Sequence, residues 1–257
     1  MKTIIFAGGL GSRISEESHL KPKPMIEIGG KPILWHIMKI YMAQGFNEFI
    51  ICLGYKGYII KEYFNNYFLH NSNITLDISN NNLEIHNSEV EDFSVTLVET
   101  GLHTKTAGRL RKVREYVREE DFMLTYGDGL ADVDLKALVD FHRRSRCLAT
   151  VTSIQPSGKF GVIESNEDGL VTEFIEKPKS NSTWINGGFF VMNCGVFNHF
   201  PEEADDIMLE EEPMRNLVEN NKLATYRHYG FWKCMDILRD KVELEKLWET
   251  KAPWRIW

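Results

Sequence analysis

The sequence has only four cysteines in 257 residues, and no two of them form a CxxC pair. Disulfide frameworks and zinc knuckles both need closely spaced cysteines. The eight histidines also include no HxH or HxxxH pair, the spacing that most directly predicts a histidine metal site. We therefore expect no zinc site of this kind and mostly buried, reduced thiols at Cys52, Cys147, Cys194 and Cys234.

Long apolar runs and an excess of basic charge are also missing. No stretch approaches the roughly 20 consecutive apolar residues of a membrane span, and the opening MKTII is too short for a signal peptide. The net charge of −7 argues against non-specific nucleic-acid binding, which depends on neutralising phosphates. We expect a cytoplasmic protein with neither a membrane nor a nucleic-acid partner, folded as one domain over residues 1–257.

Two common glycine-rich phosphate motifs are absent. The pair Gly9 and Gly11 is followed by Ile14, where a dinucleotide-binding fingerprint requires its third glycine. The pair Gly30-Lys31 is preceded by Met25, where a P-loop requires its first glycine. Any phosphate site in this chain must therefore be built differently.

A different glycine cluster, FAGGLGSR at 6–13, follows the apolar run at 3–5. Bare backbone N–H groups in such a cluster can approach an anion closely, and Arg13 adds a planar charged fork. Lys21 and Lys23 follow, and we expect the proline after each to hold its backbone extended. The stretch suggests a phosphate cradle, although a tight turn explains the glycines alone equally well.

Apolar periodicity predicts alternating strands and helices. Strands are expected over 49–53, 94–99 and 122–126, with helices over 32–41 and 56–68. This order favours a parallel sheet with ligands at the carboxyl ends of its strands. We expect a surface hairpin within 74–90, a helix capped by Asp134, mixed or antiparallel strands beyond residue 147 and a last helix over 236–248.

Two aspartates stand where elements are expected to end or begin. Asp128 lies between two glycines after a predicted buried strand, and Asp236 is expected to begin the last helix. Alone, each has an ordinary explanation, as a turn residue or a helix cap. Beside a cationic phosphate cradle they suggest a Mg²⁺-nucleotide site, because Mg²⁺ takes one or two carboxylates plus phosphate oxygens. Asp132 and Asp134 also form a DxD pair, which leaves a metal-dependent glycosyltransferase as an alternative.

The segment 7–13, together with Lys21-Pro22-Lys23-Pro24, resembles the signature of the sugar-1-phosphate nucleotidylyltransferases. The resemblance covers the whole chain and is particularly close at 66–70, 185–190 and 230–232. It implies an α/β, Rossmann-like mixed sheet with helices on both faces and a small antiparallel subregion on the sugar side. The implied reaction is Mg²⁺-dependent transfer of a cytidylyl group from CTP to a hexose 1-phosphate, α-D-glucose 1-phosphate, in bacterial surface-polysaccharide (O-antigen) synthesis.

The resemblance also implies roles for individual residues. Arg13 and Lys23 would be catalytic, and Asp128 and Asp236 would hold Mg²⁺. Thr104 and Arg109 would contact the nucleotide, while residues 176, 177 and 186 would line the sugar-phosphate pocket. The full set of implied substrate contacts is Ala7, Gly8, Gly9, Leu10, Gly11, Ser12, Thr104, Arg109, Gly127, Gly161, Glu176, Lys177, Asn186 and Gly187. Lys105, Ala107 and Ile237 depart from the family pattern.

The sequence is also compatible with other functions. The chain could use another nucleoside triphosphate or another phosphorylated sugar. It could also be a non-catalytic regulatory subunit, but such a protein is expected to lose a phosphate-binding lysine or a metal carboxylate. The resemblance implies a homo-oligomer, and the aromatic ending at 254–257 is expected to be exposed as a candidate contact.

Overall fold

The computed structural model describes residues 1–88, 90–118, 120–156, 162–165, 170–175 and 183–257. Within these ranges the strands are β1 (Thr3–Phe6), β2 (Glu27–Ile28), β3 (Lys31–Pro32), β4 (Glu48–Leu53), β5 (Ser72–Asp77), β6 (Asn82–Ser88), β7 (Ser94–Glu99), β8 (Phe122–Tyr126), β9 (Gly129–Ala131), β10 (Ala149–Ile154), β11 (Val162–Ser165), β12 (Val171–Ile175), β13 (Ile185–Met192), β14 (Leu223–His228) and β15 (Trp232–Cys234).

The α-helices of the same ranges are α1 (Ser15–Ser18), α2 (Ile33–Met42), α3 (Gly57–Asn65), α4 (Tyr67–His70), α5 (Thr106–Lys112), α6 (Arg114–Val117), α7 (Leu135–Ser145), α8 (Glu212–Glu219) and α9 (Leu238–Thr250). Short 3₁₀ turns cover Ser12–Ile14, Lys23–Met25 and Cys194–His199. Among the described residues, none of the helices combines the length and apolarity needed to cross a membrane.

The central sheet has seven strands in the order β14-β10-β13-β8-β1-β4-β7. Strand β13 runs antiparallel to both of its neighbours, and every other neighbouring pair is parallel. Strands β1, β4 and β8 lie inside the sheet and are almost entirely buried, which explains why they read as continuous apolar runs. The predicted mixed α/β sheet is therefore confirmed.

Alternate side chains of these strands enter two separate cores. Ile5, Ile51 and Met123 pack on one face, against side chains of α2, α7 and α9. Ile4 and Leu124 pack on the other face, against side chains of α5, α6 and α8. The prediction of helices on both faces is confirmed. Both cores extend to the carboxyl ends of the strands, where Phe6 and Ala7 also border a cleft.

Several local predictions hold closely. Strands β5 and β6 pair as the expected hairpin, and β7 and β8 have their predicted bounds. The carboxylate of Asp134 accepts a hydrogen bond from the backbone N–H of Ala137, so it caps α7 as predicted. Strands β11 and β12 form the expected small antiparallel pair. Helix α8 and strand β14 were not predicted from the sequence.

Four local predictions were wrong. Of the four cysteines expected to be mostly buried, only Cys52 is buried, and Cys147, Cys194 and Cys234 are partly exposed. Lys23 does not lie in an extended segment but begins a 3₁₀ turn. The last helix begins at Leu238 and not at Asp236. The aromatic ending is not a uniformly exposed surface, because Trp254 is fully buried among Phe231, Trp248 and other aromatic side chains. Contacts from distant parts of the chain place Lys23 and Trp254, whereas a local contact with Asp240 sets the start of α9.

Candidate functional site

A cleft of ≈ 700 Å³ opens where β1 and β8 end. The glycine loop after β1, the 127–129 turn after β8, the start of α5 and the 186–188 segment of β13 all contribute to its walls. The cleft brings together the following site residues predicted from the sequence: Ala7, Gly8, Gly9, Leu10, Gly11, Ser12, Arg13, Lys23, Thr104, Arg109, Gly127, Asp128, Asn186, Gly187 and Asp236. The other three, Gly161, Glu176 and Lys177, lie outside the described residues.

Lys23 occupies the floor of this cleft between two carboxylates. Its Nζ atom lies 2.5 Å from Asp128 Oδ2 and 2.7 Å from Asp236 Oδ1. The second oxygen of Asp236 accepts a hydrogen bond from Arg13 Nη1 at 2.8 Å. The Lys23 side chain is only 13% exposed, whereas that of Arg13 is 74% exposed. The floor is thus a network of two cations and two anions, in which the side chain of Arg13 is mostly exposed to solvent.

Distant elements bring the two aspartates together. Strand β15 pairs with β9 directly after Asp128, and the backbone N–H of Met235 donates to the Asp128 carbonyl oxygen at 2.9 Å. The backbone N–H groups of Asp236 and Ile237 donate to the carboxylate of Asp240, which therefore completes the start of α9. Because Asp240 performs this capping, the carboxylate of Asp236 is free to face the cleft.

The charges on the floor keep Lys23 protonated. Burial by itself would lower the pKa of its ammonium, but Asp128 and Asp236 outweigh that effect and raise the pKa above the ordinary 10.5. Lys21 lies in a different environment, where its ammonium pairs with Glu27 at 2.6 Å. The structure therefore separates two lysines that residue spacing alone does not distinguish, and of which the family resemblance selects Lys23.

Arg109 supports the wall formed by the glycine loop. Its guanidinium, which is almost fully buried, donates to the carbonyl oxygens of Gly8 and Leu53 at 2.9 Å and to Thr100 Oγ1 at 2.6 Å. A Cβ atom at Gly8 would lie 2.1 Å from Arg109 Nη1, so only glycine fits there. Burial lowers the pKa of Arg109 from its ordinary value.

The partners of Arg109 explain how it can act. Among the described residues, the hydrogen bonds from its guanidinium all go to neutral oxygen atoms. Its guanidinium therefore has no direct ion pair in that part of the chain, although the Asp205 carboxylate partly offsets its charge, and its geometry is held by the backbone and Thr100. A Cβ atom at Gly9, by contrast, would meet no protein atom within 4 Å and would project into open space. This free space above the loop is where a ligand could approach the backbone.

Three further cleft residues were not predicted from the sequence as site residues. Trp232 donates from Nε1 to the Gly187 carbonyl oxygen at 2.7 Å, and so holds the 186–188 segment. Tyr126 ends β8 and donates its hydroxyl hydrogen to Glu210, which also lines the cleft. Trp232 lies in the segment that carried the family resemblance, but Glu210 lies in an acidic run that reads as ordinary surface.

The described residues can supply part of a metal site. They contain no group of three or more His, Cys, Asp and Glu side chains placed to hold a metal ion. Asp128 and Asp236 nevertheless converge on one cation, the Lys23 ammonium. Two converging carboxylates suit Mg²⁺, because Mg²⁺ usually completes its octahedron with water and substrate phosphates.

A family model described as Nucleotidyl transferase matches residues 2–237, most of the chain. The chain belongs to the nucleotidyl transferase family. Two relatives in this family, each called glucose-1-phosphate cytidylyltransferase, come from Salmonella typhi and Salmonella typhimurium. Each is 52% identical to this chain over 259 residues, and each alignment covers 100% of both chains. The family predicted from residues 7–13 and 21–24 is confirmed.

Solved structures show the fold of this nucleotidyl transferase. UDP-glucose pyrophosphorylase from Acinetobacter baumanii superposes with a TM-score of 0.69 and covers 98% of this chain and 95% of its own. Because the two sequences are only 16% identical, this likeness concerns the fold alone. The Rossmann-like mixed sheet expected from the sequence is confirmed by this architecture.

Proposed function

We propose that this chain transfers a cytidylyl group from CTP to α-D-glucose 1-phosphate and releases pyrophosphate. The observation that carries the proposal is the cleft floor, where Lys23 lies between Asp128 and Asp236 beside a glycine loop. Full-length identity of 52% to glucose-1-phosphate cytidylyltransferases supports the choice of CTP and glucose 1-phosphate. The product would be CDP-glucose.

The chemistry needs little proton transfer. The second pKa of a phosphate monoester is about 6, so the sugar phosphate is largely dianionic near neutral pH and can attack without a general base. One of its oxygens forms a bond to the α-phosphorus of CTP, and the bond from that phosphorus to pyrophosphate breaks. The main requirements are alignment of two anions and stabilisation of the charge that develops on the departing pyrophosphate.

The cleft residues divide these tasks. The backbone N–H groups of the glycine loop and the exposed guanidinium of Arg13 would bind nucleotide phosphates. Lys23 would neutralise charge at the reacting centre. Asp128 and Asp236 would hold Mg²⁺, which when bound neutralises phosphate charge. Arg109 would fix the loop and add positive charge from behind it.

The neutral polar groups of the cleft would select the base and the sugar. Thr104 is buried beside the glycine loop, and its hydroxyl accepts a hydrogen bond from Lys112. Asn186 also lines the cleft and donates from Nδ2 to the hydroxyl of Tyr126 at 3.2 Å. We propose that Thr104 contacts the cytosine and that Asn186 contacts the sugar phosphate.

The structure disfavours a DxD glycosyltransferase site at Asp132 and Asp134. The Asp134 carboxylate caps α7, and Asp132 Oδ1 lies 3.0 Å from His228 Nε2. Neither residue lines the cleft described above. The two carboxylates therefore serve separate local contacts, whereas Asp128 and Asp236 share one cation.

Three finer expectations belong to the same proposal. We place the reaction in the cytoplasm, where CTP is made, and we expect the enzyme to act as a homo-oligomer. We also propose that its product feeds bacterial O-antigen synthesis. Size-exclusion chromatography with light scattering tests the oligomer, and loss of CDP-glucose after gene deletion tests the role in the cell.

Pyrophosphate release tests the proposed reaction directly. Purified protein, Mg²⁺ and glucose 1-phosphate are combined with CTP, UTP, GTP or dTTP in turn. We expect CTP to be used with the highest kcat/KM. Equal efficiency with UTP would reject cytosine selection, and no release with any of the four would reject the reaction.

A set of matched variants tests the site. Asp128→Asn and Asp236→Asn remove one charge each with little change in shape, so we expect turnover to fall on the order of a hundredfold or more. Asp134→Asn is the control, because it removes a carboxylate outside the cleft and asparagine caps helices equally well. Near-normal turnover in either cleft variant would remove that residue from the proposed site.

A further inference from the structure

The carboxylate of Glu210 lines the cleft, and it has no part in the proposed binding of the nucleotide or the metal. Its Oε1 atom accepts a hydrogen bond from the hydroxyl of Tyr126, and its Oε2 atom accepts one from Thr106 Oγ1 at 3.0 Å. Both partners are neutral hydroxyl groups. Within the described residues no ion pair of Glu210 is found, so no cationic side chain there is paired with this carboxylate at the wall of the cleft.

A chain of hydrogen bonds connects this carboxylate to the 186–188 segment of β13. The backbone N–H of Gly188 donates to Asn186 Oδ1 at 2.8 Å, Asn186 Nδ2 donates to Tyr126, and Tyr126 donates to Glu210. The Tyr126 ring also packs against Phe6 and Phe190. The position of Glu210 is therefore set by rigid neighbours.

The charge of Glu210 restricts what can bind to it. An ionised carboxylate offers about four lone-pair positions and no donor, so the hydroxyls of Tyr126 and Thr106 leave acceptor capacity free. Phosphate oxygens carry negative charge and would be repelled. Neutral hydroxyl groups are attracted, and hydrogen bonds to a charged acceptor are stronger than bonds between neutral groups.

We infer that Glu210 accepts hydrogen bonds from hydroxyl groups of the hexose ring and determines which sugar phosphate is used. The inference rests on the proposed function. The carboxylate is linked to Asn186, the residue proposed for the sugar side, and the cationic groups Arg13 and Lys23 are gathered at the floor. The phosphate end of the sugar is directed to the cations, and the hydroxyl-bearing face is directed to Glu210. A hexose that carries a second phosphate group on that face is repelled by the carboxylate of Glu210.

Measurements of equilibrium binding distinguish contacts to the sugar from contacts to the nucleotide. We would titrate CTP and CDP-glucose into wild type, Glu210→Gln and Tyr126→Phe by calorimetry, with Glu212→Gln as a control from the same acidic run outside the cleft. In Glu210→Gln we expect CDP-glucose to bind about tenfold more weakly with CTP affinity unchanged. Tyr126→Phe keeps the aromatic ring and should show a smaller loss of the same kind, and Glu212→Gln should match wild type.

Kinetics supply the second measurement. Glu210→Gln should raise KM for glucose 1-phosphate about tenfold, leave KM for CTP unchanged and reduce the preference for glucose 1-phosphate over glucose 1,6-bisphosphate. An equal weakening of CTP and CDP-glucose would overturn the inference and assign Glu210 to the ribose or base. Unchanged constants in a normally melting variant would also overturn it. A wild-type protein that binds neither CTP nor CDP-glucose would reject the proposed function itself.

Discussion

The cleft floor and the aromatic cluster at the chain end bury ionisable groups in opposite ways. On the floor, Lys23 lies between two carboxylates and its pKa is raised, so it stays charged. In the aromatic cluster, His36 is fully buried beside Trp248 and Trp254, and burial lowers its pKa to about 4, so it stays neutral. A buried group that stays charged because of its ion-pair partners can attract a ligand of opposite charge, whereas a buried neutral ring contributes to packing.

The largest expected effect is on the aromatic cluster. Trp254 is fully buried, stacks on Phe231 and Trp248, and directs Nε1 toward His36 Nδ1 at 3.4 Å. Trp254→Ala should lower the free energy of unfolding by about 3–5 kcal/mol, measured by urea denaturation, because it leaves a large cavity. Trp257→Ala is the control and should cost less, since Trp257 is only partly buried. If the folded fraction of Trp254→Ala keeps a normal kcat, the aromatic cluster contributes to stability and not to the reaction. A large loss of kcat in that fraction would contradict this difference between the cluster and the cleft floor.

The next effect is on the cleft floor. Lys23→Ala should lower kcat on the order of a hundredfold, equivalent to about 3 kcal/mol, because the lost ammonium stabilises charge that develops in the transition state. Steady-state kinetics of pyrophosphate release measure this change. A variant with normal kcat and a higher KM would show that Lys23 only attracts substrate.

The neutral state of His36 predicts acid sensitivity. Its folded pKa of about 4 lies below the unfolded value of 6.5, so the unfolded chain binds more protons between these values. The contribution of neutral His36 to the free energy of unfolding is complete above pH 6.5 and is lost as the pH falls toward 4. About 2 kcal/mol of it is lost by pH 5. Denaturation curves from pH 8 to 5 should show this slope, and His36→Gln should flatten it. Equal slopes in both proteins would contradict a buried neutral histidine.

A smaller effect concerns metal binding without nucleotide. The Lys23 ammonium pairs with both Asp128 and Asp236, and Arg13 also pairs with Asp236, so a divalent cation must compete with these cations for the two carboxylates. Lys23→Met keeps much of the stem and removes the charge, and should tighten Mn²⁺ binding on the order of tenfold by calorimetry. Weaker or unchanged Mn²⁺ binding would show that these carboxylates do not serve as the metal ligands.

The smallest effect is expected at Lys21. Its pair with Glu27 lies near the surface, and such pairs contribute about 0–1 kcal/mol. Lys21→Ala should therefore change kcat by no more than a few-fold and leave the denaturation midpoint nearly unchanged. If Lys21→Ala loses kcat while Lys23→Ala keeps it, the roles of the two lysines must be exchanged.

The sequence by itself determined the elements whose signals are local. Strands such as β7 and β8 were predicted because buried runs and their flanking residues lie next to each other in the chain. The glycine cluster, Arg13 and Asp128 were found for the same reason, since each follows or ends a recognisable strand. Helix α8 and strand β14 were not predicted, because α8 is short with only Pro213 and Leu217 buried and β14 is only partly buried, so neither segment contains a long apolar run.

Only the tertiary structure decided which charges meet. Pairing of β15 with β9 places Asp236 beside Asp128 across more than a hundred residues, and Asp240 frees Asp236 by capping α9. The 3₁₀ turn at Lys23 directs that lysine, and not Lys21, between the two carboxylates. Glu210 carries no signal in its acidic run and becomes a cleft residue through contacts with Tyr126 and Thr106. Such choices depend on long-range backbone pairing and packing, which residue spacing along the chain does not encode locally.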